Sequence, residues 1–129
     1  MELRHILIIN NVQNVIKKNK KMETNFKVEE IIDGNIVRVN PHWTVGEKSG
    51  DTVFIRGYDL KKNKSEDDES FLLANEIAKM RLSCLVLDKD VELKNLPYHT
   101  PESVDLHGRL KCNMYVNNKN ISTFFSEFN

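Results

Sequence analysis

Four consecutive acids, Glu66, Asp67, Asp68 and Glu69, are the densest group of chemically active side chains in this sequence. Carboxylates so placed could hold a hard cation or take up a proton. They also have a local explanation. Ser65 with Asp68 three residues on resembles a helix capping box, and acids in a first turn complement the helix dipole. The four histidines, His5, His42, His99 and His107, share no metal-ligand spacing with one another or with Cys84 and Cys112. Those cysteines form no C-x-x-C pair, so neither a zinc site nor a disulfide framework is suggested, which fits a reducing compartment. The sequence has no Ser/His/Asp or Cys/His arrangement and no glycine-rich phosphate loop. What remains is rings and cations. Trp43, Phe54, Tyr58, Tyr98 and Tyr115 could stack bases if the fold exposes them. On a regular strand Arg56 shares the side of Phe54, about 7 Å along.

The elements that position these residues are mostly strands. A period-2 stretch from Phe26 to Ile31 runs into Asp33-Gly34 and then Ile36-Val37-Arg38-Val39, which predicts a hairpin. Asn40-Pro41 is expected to end the second strand, leaving Trp43, Gly46 and Gly50 in a loop. A third strand is expected from Thr52 to Tyr58, with Gly57 marking a bulge or a close backbone approach. After the acidic run, Leu73, Ile77, Met80 and Cys84 at i, i+4, i+7 and i+11 predict one helix with that face buried. A fourth strand is expected at Val91 to Leu93. Pro97 and Pro101 bracket a loop, and a fifth strand from Gly108 to Val116 turns at Asn117-Asn118 toward a short run near Ile121. Five short strands with one helix between the third and fourth suggest a small β-barrel of α+β type.

A length of 129 residues with 40% hydrophobic and 29% charged side chains suits one globular domain. The apolar run at residues 6–9 is far too short to span a bilayer, and no signal peptide is recognised, so a cytoplasmic protein without membrane contact is expected. Nineteen basic side chains balance nineteen acids, which argues against a broad basic surface. Charge is unevenly placed. Residues 1–21 carry Arg4, Lys17, Lys18, Lys20 and Lys21 against Glu2 alone, while residues 22–129 carry 14 basic and 18 acidic side chains. We therefore read 1–21 as a basic extension and 22–129 as the domain.

The order of three motifs resembles the staphylococcal nuclease-like family. V-x-x-I-I-D-G-N-I-V-R-V at 28–39 stands where the family has an I-D-G-D-T hairpin, R-G-Y-D at 56–59 where it has a strand ending in aspartate, and D-L-H-G-R-L at 105–110 where it has D-x-Y-G-R. The resemblance covers residues 26–128 and implies a five-stranded OB-fold barrel. It also implies phosphodiester hydrolysis with a calcium ion held by carboxylates, a glutamate that activates water and two arginines on the phosphate.

Carried over position by position, that set is depleted. The hairpin's second aspartate falls on Asn35, the glutamate base on Lys62 and the first arginine on Phe54, while Asp59 and Arg109 match. The resemblance thus implies a degenerate site: a non-catalytic domain that binds nucleic acid or a protein partner, without a cofactor, through Phe54, Tyr58, His107 and Arg109. The alternative is a divergent calcium-dependent nuclease. It would use Arg109, with Arg56 as replacement clamp, metal ligands Asp59 and Asn35, and an acid from residues 66–69.

Overall fold

The computed structural model describes residues 25–61, 68–94 and 101–128. The expectations for 1–21, Lys62, Ser65, Glu66, Asp67, Tyr98 and His99 lie outside these residues. Strand β1 (Asn25–Asp33) turns through Gly34 and Asn35 into β2 (Ile36–Val45), and β3 (Lys48–Ile55) follows. Helix α1 (Glu69–Val86) leads to β4 (Asp90–Lys94), β5 (Leu110–Val116) and the two-residue β6 (Lys119–Asn120). A kinked 3-10 segment (Ile121–Phe128) completes the described chain.

Antiparallel pairing joins β3 to β2, β2 to β1, β1 to β4 and β4 to β5, and a parallel pairing of β3 with β5 closes the ring. Five strands thus make a closed barrel with a long helix between β3 and β4, an OB-like α+β fold. Alternation does the sorting: in β5, Leu110, Cys112 and Met114 point inward while Lys111 faces out. The interior is filled by Phe26, Val28, Val37, Val39, Val53, Ile55, Leu93 and Met114, capped by Leu82 and Phe125.

Several boundaries differ from expectation. β2 does not stop at Asn40-Pro41 but passes through that peptide, which is cis, and the β2–β3 register shifts between Arg38 and Trp43. A proline without an N–H fits where the ladder is irregular. Trp43 therefore lies in β2, fully buried, with its indole N–H donating to the Thr52 carbonyl at 2.9 Å. Gly50 makes room for that indole, since a Cβ there would stand 2.8 Å from the ring. β3 ends at Ile55 rather than Tyr58. Beyond it Gly57, at φ 109°, passes so close to Ser122 that a Cβ would lie 2.5 Å from the serine Cβ. Asp68 caps α1, its carboxylate accepting from the Ser70 N–H at 2.7 Å.

The largest difference is the face α1 buries. Ala74, Ala78, Leu82 and Val86 pack on the barrel, whereas Leu73, Ile77, Met80 and Cys84 face away. Both sets recur at helical spacing. The alanines let the helix backbone approach the β1–β2 turn, where Gly34 lies against Ala78. Among the described residues no helix is long and apolar enough to cross a membrane.

Candidate functional site

One open cavity of about 560 Å³ lies where the β1–β2 turn, the end of β3, the start of α1 and the loop before β5 converge. Asp33, Asn35, Phe54, Asp59, Lys61, Asn75 and Arg109 bring the functional side chains to it, and Ile36, Leu60, Phe71 and Leu72 form its apolar wall.

The floor is the β1–β2 turn, and its shape is set by Gly34. This glycine is required for space: a Cβ would stand 2.5 Å from Leu60 and 2.7 Å from Ala78. Asn75 of α1 then clamps the turn, accepting from the Gly34 N–H at 2.7 Å and donating to the Asp33 carboxylate at 3.1 Å. Behind the turn, the Tyr58 hydroxyl donates to the Gly34 carbonyl at 2.6 Å, and its ring stacks on Phe125 at 4.3 Å and 9°. Burial pushes the Tyr58 phenol well above its ordinary range, so it stays a protonated donor. Tyr58 is therefore a core residue. Its face is taken by Phe125, which corrects its expected role in binding a partner.

The mouth is built by a tight turn around Asp105. Its carboxylate accepts from the backbone N–H groups of His107 at 2.9 Å and Arg109 at 3.0 Å, and from the Arg109 guanidinium at 2.8 Å. Gly108, at φ 77°, supplies the left-handed conformation this turn needs. Burial opposes ionisation of Asp105, but these hydrogen bonds and the guanidinium charge outweigh it and hold the carboxyl below its ordinary value of 3.8. Arg109 is thereby fixed with its guanidinium 5.2 Å from the centre of the Phe54 ring. Lys111, brought alongside by the parallel β3–β5 pairing, places its ammonium 5.6 Å from the same ring. Two cations thus gather around one half-buried aromatic at the cavity's edge.

Of the site residues expected from the sequence, Asn35, Phe54, Asp59 and Arg109 line this one cavity. Two others do not. Arg56 falls beyond the end of β3, exposed and outside the cavity, its N–H donating to the Cys112 carbonyl at 2.9 Å. It does not share the Phe54 position because the strand on which the two would align has already ended. His107 sits exposed in the turn, contributing its backbone N–H to Asp105 rather than a side chain to the cavity. Trp43 is core, and Tyr115 lies on the outer face of β5 with Lys94 4.7 Å above its ring.

No family model matches this chain, and no curated protein matches it. The site must then be judged on its own chemistry.

The two carboxylates of the cavity are already engaged in part: Asp33 by Asn75, and Asp59 by the Lys61 N–H at 2.9 Å. Asp68 and Glu69, the described members of the acidic run, are a cap and a first-turn residue of α1. Among the described residues no three His, Cys, Asp or Glu side chains come together as a metal group. Asn75 and Lys111 are the site residues that motif reading passed over. A polar residue on the barrel side of a helix otherwise lined by alanine and leucine was the available signal for Asn75. For Lys111 the signal was strand alternation, which turns it outward beside Arg109.

Proposed function

We propose that this chain is a divergent, non-catalytic domain of the staphylococcal nuclease-like kind that binds single-stranded nucleic acid at the cavity edge. The observation that carries the reading is the Phe54 ring flanked by Arg109 and Lys111. A ring offers a stacking platform to any base, and neighbouring cations neutralise the phosphates on either side, the combination that sequence-tolerant single-strand binders use. Cleavage asks for more. A hydrolytic site needs a base to activate water as well as charge stabilisation, and the ionisable residues lining this cavity, besides the engaged Asp33 and Asp59, are the cations Lys61 and Arg109.

The experiment is fluorescence anisotropy with labelled single-stranded DNA and RNA over a salt series. Phe54→Ala is expected to weaken binding by about 1–3 kcal/mol, roughly five- to 150-fold, the range for loss of one stacked base. Lys111→Ala should weaken it with little dependence on sequence and lower the salt slope by about 1. Absence of binding, or binding that neither variant changes, overturns the reading; salt-insensitive binding of a protein would turn it toward a protein partner.

The nuclease alternative draws support from one feature, the convergence of Asn35, Asp59 and Arg109 in a single cavity. Its test is cleavage of end-labelled substrates with calcium, magnesium or EDTA. Metal-dependent cleavage lost in both Asp59→Ala and Arg109→Ala would establish hydrolysis and displace the non-catalytic reading.

A further inference from the structure

Tyr115 is a half-buried outward ring that the cavity does not use, and its place on the barrel relates it to Phe54. Strand β5 sends Leu110, Cys112 and Met114 into the core and turns Lys111, Asn113 and Tyr115 outward, so these three share one face. The parallel pairing sets Phe54 level with Lys111. Tyr115 follows four residues further along the same strand, which places it about 13 Å beyond that level at the rise of a parallel strand. Two half-buried rings thus stand on one side of the barrel, connected by the outward side chains of a single strand.

Charge follows the same line. On β4, Lys94 pairs in register with Asn113 and Glu92 with Tyr115. The Lys94 ammonium lies 4.7 Å from the centre of the Tyr115 ring, much as Arg109 and Lys111 lie by the Phe54 ring. Arg56 is exposed and comes alongside the middle of β5 through its N–H, which donates to the Cys112 carbonyl. The carboxylate in this row is Glu92, 3.8 Å from the Lys94 ammonium. Both side chains are partly exposed, and an ion pair in that setting holds its members weakly, so Lys94 can turn to a phosphate at little cost.

A ligand that repeats a flat base and an anion in every unit matches rings and cations that recur along one strand. Its bases can stack on any ring, and its phosphates need cations between the rings. Joining rings about 13 Å apart takes several nucleotides, in keeping with the roughly 4–16 that one OB-type barrel covers.

We propose that the outer face of β5 is a track for single-stranded nucleic acid, with Tyr115 as a second stacking platform and Lys94 as its phosphate contact. The proposal rests on the single-strand reading of the cavity edge and adds the path that the strand takes from there.

The test is fluorescence anisotropy of a labelled eight-nucleotide oligothymidylate with the full-length chain, each variant being checked by circular dichroism. Tyr115→Ala should weaken binding roughly five- to 150-fold, as expected for one lost base stack, and Tyr115→Phe should bind as the parent does. Lys94→Gln, a change at an exposed side chain, should lower the salt slope by about 1. A thymidine dinucleotide is too short to join the two rings. Its affinity at the cavity edge, followed by the NMR shift of the Arg109 amide, should fall in Phe54→Ala and stay unchanged in Tyr115→Ala. If Phe54→Ala weakens octamer binding while Tyr115→Ala leaves it unchanged, or Lys94→Gln keeps the parent's salt slope, the track is overturned and the cavity-edge reading stands. A loss of dinucleotide affinity in Tyr115→Ala also overturns the track, since Tyr115 would then act through the fold. A chain that binds no single strand, or binds it independently of Phe54, overturns both readings.

Discussion

Replacing Asn75 by alanine tests whether α1 holds the cavity floor in place. The Gly34 N–H is buried with its turn and finds its acceptor in the Asn75 carbonyl at 2.7 Å, and the same side chain donates to Asp33 at 3.1 Å. Leaving a buried donor unsatisfied costs about 1–3 kcal/mol. The open cavity beside it admits water, which places the loss in the lower half of that range, at about 1.5–2 kcal/mol. Alanine gains back about 0.5 kcal/mol through its higher helix propensity. The net expectation is a destabilisation of about 1–1.5 kcal/mol, a fall in Tm of roughly 3–6 °C for a domain of this size. Urea denaturation followed by tryptophan fluorescence suits the measurement, because Trp43 lies in the core. Glu76→Ala, next along the exposed side of α1, controls for propensity and should stabilise slightly or do nothing. An Asn75→Ala protein as stable as the Glu76→Ala control would refute the clamp.

Gly34→Ala should be worse, by about 1–3 kcal/mol, since its methyl group meets Leu60 and Ala78 in a packed corner; unchanged stability would mean that the turn can shift freely. Asp105 gives a pH signature. Its folded pKa is lowered, so its contribution is complete above the ordinary value of 3.8 and is lost as pH falls through the depressed folded value. Asp105→Asn should therefore be less stable than the parent at neutral pH, with the gap in denaturation midpoint closing in acid; a gap independent of pH would contradict this linkage. Burial pushes the Cys112 thiol up to about 12, so thiol reagents at mildly alkaline pH should leave it unmodified until the barrel unfolds, which mass spectrometry of the labelled peptides would show.

The strands were legible because their signals are local. Alternation in β1 and β5, the Asp33-Gly34 turn and the paired asparagines Asn117 and Asn118, both at positive φ, each fix their piece of backbone within a few residues. The outer face of α1 misled because the helix carries two apolar periodicities. Spacing ranks Leu73, Ile77, Met80 and Cys84 above an alanine-rich set, but close approach to the turn favours small residues, and that is a tertiary fact. Tyr58 and Trp43 looked like binding rings for a similar reason, since type and spacing do not show which side of a barrel an aromatic faces. Motif order brought Asn35, Asp59, Phe54 and Arg109 to one cavity. It could not supply Lys111, whose place beside Phe54 depends on the parallel pairing of strands distant in sequence.

That parallel seam also ties the edge of the cavity to a contact between strands distant in sequence. Val53 must meet Leu110 across all of α1 and β4, so the contact carries a large loop-closure cost and belongs to the slow part of folding. Phe54 enters from one side of the seam, Arg109 and Lys111 from the other. During synthesis the hairpin and helix can form while the ring still lacks its cations. A chain stalled before the seam closes would have much of its secondary structure and a Phe54 ring without Arg109 and Lys111 beside it.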